Sequence, residues 1–342
     1  MRSLVGELCS EACAGRRPGT PEGAAARAVV VEALRGVGLD PREQPVPGCR
    51  GANVIATIPG DIDRWIVVGA HFDHLGRNRG EVYWGADDNA AAVAILVEAA
   101  RGLERSRPAG RGVVIVAFDG EEPPYFLSGA MGSEQYVITP EVPLDRTDLM
   151  ICMDLVGRAL GADGMPAEVR QTVFALGAER SLGTAAMVDA IASAVPGVVV
   201  RRADAEIIPP LSDYFPFWKR QVPFLFLTCG RSQNYHTPRD TPAGLDFVKM
   251  AATAQWLERM IRDACARPEP RVGFLEGARD DASTLRSMIT ITRSLAAFSV
   301  EAARGQAFAE ALLAACDREG MLPASRRSEV AMLVAMLESG LA

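Results

Sequence analysis

Three apolar runs in this chain stop abruptly at acidic or histidine residues, and that pattern limits the possible folds more than any other feature of the sequence. They are RWIVVGAHFDH (64–74), RGVVIVAFDGEE (111–122) and DLMICMDLVG (148–157). Each is short, apolar and bounded by turn-forming or charged residues, as buried strands are. Between the first two lies DDNAAAVAILVEAARGLERS (87–106), alanine-rich and of helical length. Further strands are expected at 52–60, 171–178 and 222–230. Helices are expected at 181–194, at 243–265, and after Thr20, an N-cap with Pro21 at the first helical position. Strands that alternate with helices predict an α/β domain with a mixed, largely parallel central sheet flanked by helices. In such sheets the ligand crevice lies beyond the carboxyl ends of the strands. Residues that end separate strands can therefore meet in space.

The domain is expected to span 1–268. ARPEPRVGF (266–274) reads as a proline-punctuated linker. Residues 275–342 read as a helical extension with apolar patches at helical spacing. These are Leu285, Met288, Ile289, Thr292 and Leu295; Phe308, Leu312 and Leu313; and Val330, Leu333, Val334 and Leu337. The extension is expected to pack on the main domain, with a homo-oligomer interface through these helices as the alternative.

Composition narrows the class of partner. With 36 Lys and Arg against 43 Asp and Glu, the net charge of −7 argues against nucleic acid or an anionic membrane surface. Seven scattered cysteines, odd in number and without paired spacing, read as reduced, mostly buried thiols. The N-terminus lacks the apolar core of a secretory signal, and no run approaches the roughly 18 apolar residues of a membrane span. A cytoplasmic location is expected.

The chain has only three histidines, and all fall in motifs rich in carboxylates. In order these are His71, Asp73 and His74; Asp87 and Asp88; Glu121 and Glu122; Asp154; and His236 in NYHTPRDTP. Imidazoles and carboxylates are ligands that zinc accepts. Isolated charges at the ends of buried strands are costly, and a bound cation would neutralise them. In the adjacent Glu pair one carboxylate can bind metal while the other moves the proton of an activated water.

These motifs resemble, in their order, the co-catalytic zinc aminopeptidase family, which includes bacterial leucyl-type aminopeptidases and, more distantly, glutaminyl cyclases and glutamate carboxypeptidase. The resemblance covers roughly residues 12–266, from AGRRPGTPEG through GAHFDHLG, GADDNAAAVA, FDGEE, MDLVG and SDYFPF to NYHTPRDTP. It implies two zinc ions per chain, with His71, Asp87, Glu122, Asp154 and His236 as metal ligands. It makes Asp87 the bridging carboxylate, with a cis peptide after it. It makes Glu121 the general base and places Asp73 behind His71. His74 is expected not to bind metal. Tyr235 is a candidate to polarise the scissile carbonyl, with a plain aromatic wall as the other reading. Tyr214 stands where family members often have histidine, and the segment Pro123–Leu127 is longer than usual, either a pocket wall or a solvent loop. The implied activity is hydrolysis of the first peptide bond of a substrate with a free N-terminus. The alternatives are a one-zinc, glutaminyl cyclase-like acyl transfer or a non-catalytic relative.

Overall fold

The structure is a computed structural model that describes residues 1–341. Its strands in chain order are β1 (Arg42–Val46), β2 (Gly51–Ile58), β3 (Ile62–His71), β4 (Gly76–Asn78), β5 (Glu81–Tyr83), β6 (Arg111–Phe118), β7 (Thr147–Met153), β8 (Thr172–Leu176), β9 (Val199–Ala203) and β10 (Phe224–Thr228). The helices are α1 (Arg2–Leu8), α2 (Pro21–Arg35), α3 (Ala91–Arg105), α4 (Gly132–Ile138), α5 (Ala167–Arg170), α6 (Thr184–Ile191), α7 (Phe215–Trp218), α8 (Phe247–Cys265), α9 (Asp281–Leu295), α10 (Val300–Leu313) and α11 (Arg327–Leu341).

Eight strands form one sheet in the order β1-β2-β6-β3-β7-β10-β8-β9, and β4 pairs with β5 in a separate hairpin. The central four, β6, β3, β7 and β10, are parallel. Antiparallel pairing enters at β1–β2, β2–β6 and β10–β8. This is the mixed, largely parallel sheet that the alternating pattern predicts. β6 is buried at all eight positions. Both faces of a central parallel strand are covered, so its sequence is continuously apolar and does not alternate. Successive residues still point to opposite faces. Val68, Ile115 and Ile151 join the core under α2, α3 and α8. Val67, Val114 and Met150 join the one containing Tyr136 and Phe217.

Helix α2 begins as expected, with the Thr20 hydroxyl accepting the Gly23 N–H at 3.2 Å. The edge strands β1 and β9, the short β4–β5 hairpin and the short helices α1, α4, α5 and α7 escaped the sequence. The extension forms three helices whose predicted patches share one cluster, including Leu285, Leu312, Val330 and Leu333. Helix α9 lies along β9, where the Ser287 hydroxyl donates to the Arg202 carbonyl (2.7 Å) and Thr284 accepts the Asp204 N–H (2.8 Å). No helix among the described residues is long and apolar enough to cross a membrane.

The edge of the sheet opposite the candidate site is clamped by Asp148. Its carboxylate accepts from Arg111 at 2.5 Å, from Arg64 and from the Val272 N–H at 3.0 Å. Arg111 also donates to the Arg267 carbonyl at 2.8 Å and to that of Glu269, so the 266–274 segment is itself anchored. Burial alone would raise the Asp148 carboxyl, but Arg64, the Val272 N–H and Arg111 outweigh it and hold the group below its usual range. Because the folded value is depressed, this stabilisation is present at neutral pH and lost as pH falls below the unfolded value of about 3.9 and through the folded one. Asp148→Ala, which leaves Arg111 buried and unpaired, is expected to destabilise the fold by about 3–5 kcal/mol, read as a lower denaturant midpoint. The difference from the parent should narrow as pH falls below about 4.

Candidate metal centre and active site

The four parallel strands deliver their chemistry to one edge. β3 ends at His71, β6 runs into Asp119–Glu122, β7 is followed by Asp154, and the segment after β10 carries His236. His71, Asp73, His74, Asp88, Glu121, Glu122 and Asp154 are all buried. His236 is half-buried.

Two compact groups of potential ligand atoms form there, His71–Asp88–Asp154 and His74–Asp88–Glu122, and Asp88 belongs to both. The His71 Nε2 lies 3.5 Å from Asp88 Oδ1 and 3.5 Å from Asp154 Oδ1. The His236 Nε2 reaches the second group, 3.2 Å from Asp88 Oδ2 and 3.0 Å from Glu122 Oε2. The residue common to both groups is therefore Asp88, where Asp87 was expected. Asp87 turns away: its Oδ1 accepts the Gly157 N–H at 2.7 Å and its Oδ2 lies 3.6 Å from Arg158 Nε. Burial, with Asp240 beside it, pushes its carboxyl up to about 7. Correspondingly, the cis peptide expected after Asp87 lies one residue later, between Asp88 and Asn89. The physical reason is local. Asp88 and Asn89 leave helical geometry, so adjacent side chains diverge. Gly85 has φ +57, and a Cβ there would sit 2.3 Å from the Asp88 carbonyl and 2.5 Å from the His74 ring.

Asp73 lies behind His71, with Oδ1 3.7 Å from Nδ1, but its two oxygens bond elsewhere. They accept the backbone N–H groups of Glu121 (3.0 Å) and Glu122 (3.1 Å). The His71 Nδ1 is instead 3.3 Å from the Asp73 carbonyl. His74 holds Glu122, with Nδ1 to Oε1 at 2.6 Å.

The adjacent glutamates sit in opposite electrostatic environments. Burial holds the Glu121 carboxyl well above its ordinary range, reinforced by Asp154, Asp213 and Glu122 against the pull of His71. Burial also acts on Glu122, but His74 and His236 outweigh it and bring its carboxyl down to about 2. Two neighbouring carboxyls driven apart in this way can divide the roles of proton carrier and permanent anion. Burial would lower both imidazoles, yet Glu121 and Asp154 hold His71 well above its usual value, and Asp88 and Glu122 raise His236 to about 10.

So many buried acids around three histidines leave polar atoms without partners: His71 Nε2, Asp88 Oδ2, Asp154 Oδ1 and His236 Nε2 have no hydrogen bond. Unpaired buried atoms of imidazole and carboxylate, converging on shared points, fit divalent cations, and this donor set suits zinc.

Tyr235 lines the cavity at this edge, its ring stacked on His236 at 3.8 Å. Burial, and then the carboxylates around it, push its phenol up. Pro123 and Phe126 also line the cavity, whereas Leu127 is exposed, so the 123–127 segment is partly wall and partly surface. Tyr214 does not reach the site; it stacks on Phe224 and Phe226 at 5.0 and 4.7 Å. Its neighbour Asp213 is fully buried, with neither oxygen hydrogen-bonded, and burial pushes it up to about 7 against the pull of His71.

Three supporting residues lie in the quoted motifs but were given no role from the sequence. Asp240 accepts the N–H groups of Asp87 (2.9 Å) and Asp88 (3.1 Å). Asn89 donates to the Met153 carbonyl at 2.9 Å, tying the Asp88 turn to the end of β7. Arg16, wholly buried, donates to the carbonyls of Leu8, Phe72, Trp84 and Gly85 at 2.6–3.1 Å. It fastens the turn after His71 to the turn before Asp88. A charged side chain buried to satisfy backbone carbonyls can be found only once those loops are placed.

The chain belongs to peptidase family M28, whose model matches residues 53–261, more than half of its length. YfbL of Escherichia coli (strain K12) is 28% identical over 236 residues, covering 63% of this chain and 72% of that protein. A leucine aminopeptidase precursor from Bacteroides thetaiotaomicron VPI-5482 superposes with a TM-score of 0.60 at 19% identity, over 77% of this chain and 95% of that one. The glutaminyl cyclase of Porphyromonas gingivalis superposes with a TM-score of 0.61 at 23% identity, over 77% and 96%. Both superpositions show the shared fold. A hydrolase of the metallopeptidase class is the common ground of family and site.

Asp240→Ala would release the two N–H groups that aim Asp88. Loss of such a support is expected to weaken metal affinity by about 10–100-fold, measured by competition with a chromogenic chelator. Asp240→Asn, which keeps one acceptor oxygen, should lose less.

Proposed function

We propose that the chain is a zinc-dependent aminopeptidase that hydrolyses the first peptide bond of substrates with a free amino terminus. The observation that carries this reading is the sharing of Asp88 between two ligand groups. His71, Asp88 and Asp154 would hold one ion. Asp88, Glu122 and His236 would hold a second, since the His74 Nδ1 is already engaged with Glu122 at 2.6 Å. A zinc ion held by these residues would supply hydroxide near neutral pH, since zinc lowers the pKa of water from 15.7 to about 7.

The chain's own residues complete the chemistry. Glu121, its Oε2 3.8 Å from His71 Nε2, faces the same point. Its raised affinity for protons suits it to take the proton of the attacking water and return it to the leaving amine nitrogen. Glu122 stays ionised because two imidazoles face it. Asp73 fixes the backbone of both glutamates, so base and ligand keep their relative placement. The Tyr235 hydroxyl, kept protonated by its raised pKa, can donate to the oxyanion that forms at the scissile carbonyl.

Glu121→Gln is expected to keep the metal content of the parent while lowering kcat on aminoacyl nitroanilides by about 10²–10⁴-fold. Chelation should abolish turnover and added zinc restore it, and elemental analysis should find two ions per chain. One tightly bound zinc, with release of pyroglutamyl product from glutaminyl peptides and no nitroanilide cleavage, would overturn the aminopeptidase reading in favour of a cyclase.

A further inference from the structure

The candidate site opens into a cavity of about 560 Å³ whose far wall is built by the C-terminal extension, outside the matched family region. Pockets of this size enclose ligands with several apolar groups. The polar groups concentrate at one end, where Asp88, Glu121, Glu122, Asp154 and His236 converge. The apolar part of the lining includes Phe174 and Leu176 of β8, Met288 of α9, and Val334, Leu337 and Leu341 of α11.

Most polar side chains beside that part of the lining have partners, whereas the Arg158 Nε has no hydrogen bond. Ser287 donates to the Arg202 carbonyl, and Thr284 accepts from the Asp204 backbone. The Arg158 guanidinium donates to the carbonyls of Gly230 (3.2 Å) and Arg231 (2.8 Å). Glu338 accepts the Arg231 N–H at 3.0 Å. A charged substrate group placed against the aliphatic side chains of α9 and α11 would be buried without a partner, which is costly.

The wall is also held in place. The Leu341 carbonyl accepts the Gly161 N–H at 3.1 Å. Arg327, at the start of α11, pairs with Asp204, Glu206 and Asp281 at 2.7–3.2 Å. Glu338 joins α11 to the same loop that carries His236.

We propose that α9 and α11 form the specificity wall of the active site, with Met288, Val334 and Leu337 selecting peptides whose first residue is a long aliphatic or aromatic one. This rests on the aminopeptidase reading for the reaction but not for the shape and polarity of the pocket. The extension thus acts as a substrate-recognition element.

Two measurements on the zinc-loaded full chain test it. The first is the ratio of kcat/KM for phenylalanyl over alanyl nitroanilide, with glutamyl and lysyl substrates alongside. Wild type should prefer the phenylalanyl substrate, and Val334→Trp should lower the ratio by about tenfold or more. The second is calorimetric binding of straight-chain primary amines from propyl to octyl. Affinity should rise by up to about fourfold per methylene and then level off. Val334→Trp should level off at a shorter chain and Leu337→Ala at a longer one, so a folding failure in one variant leaves the other decisive.

A wild-type preference for alanyl, glutamyl or lysyl substrates, or a ratio changed less than twofold in the variants, would overturn the wall while leaving the peptidase reading intact. If no nitroanilide is cleaved, the peptidase reading fails and the amine series alone decides the wall. An affinity that does not depend on chain length, or the same plateau in all three proteins, refutes it.

Discussion

The site depends on carboxylates that collect backbone N–H groups from neighbouring acids. Asp73 takes those of Glu121 and Glu122, and Asp240 takes those of Asp87 and Asp88. In each case one buried side chain fixes two consecutive peptide units and thereby the directions of two consecutive carboxylates. Each N–H is a backbone donor that a strand end or broken helix would otherwise leave unpaired. Mutual repulsion would otherwise spread these acids apart, and covalent neighbours with fixed backbones cannot spread. The chain is thus committed to an anionic pocket that fits cations.

The parallel sheet makes this possible. Because β6, β3, β7 and β10 point the same way, the residues that follow them are gathered at one edge from four distant parts of the sequence. Arg16 and Asn89 then stitch the intervening loops together through backbone carbonyls. At the opposite edge Asp148 joins the starts of β3, β6 and β7 to the segment leading into the extension. The two ends of the same strands are therefore handled differently. One end is neutralised by paired arginines, and the other gathers its carboxylates around the three histidines.

Much of this could be read in the sequence because strand-end chemistry interrupts apolar runs. His71, Glu121, Glu122 and Asp154 stand out against β-branched or apolar neighbours, and the structure brings them together with His236. The choice between Asp87 and Asp88 was of another kind. Two adjacent aspartates have the same chemistry, and only the non-helical backbone at 88–89 decides which faces the histidines. Asp73 shows a similar limit, since its spacing from His71 suggests an imidazole partner while its oxygens serve the glutamate backbone. Edge strands β1 and β9 lacked a strong apolar signature. β1 alternates buried and exposed residues and contains a proline, and β9 carries two arginines.

The second of those edges explains where the extension sits. β9 is the last strand of the sheet; its Arg202 pairs with Asp189 and Asp280, and its Arg201 donates to the Thr172 hydroxyl. Helix α9 satisfies β9 through side-chain hydroxyls and sets its apolar residues against α10 and α11. Covering an edge strand requires only that polar backbone groups be met. Here the covering helices continue over the crevice at the strand ends, and Ile291 and Leu341 pack with Leu160 and Val169. The extension whose helix α9 protects the sheet edge thereby lies beside the candidate site, and α11 faces the same cavity without contributing any of the candidate metal ligands.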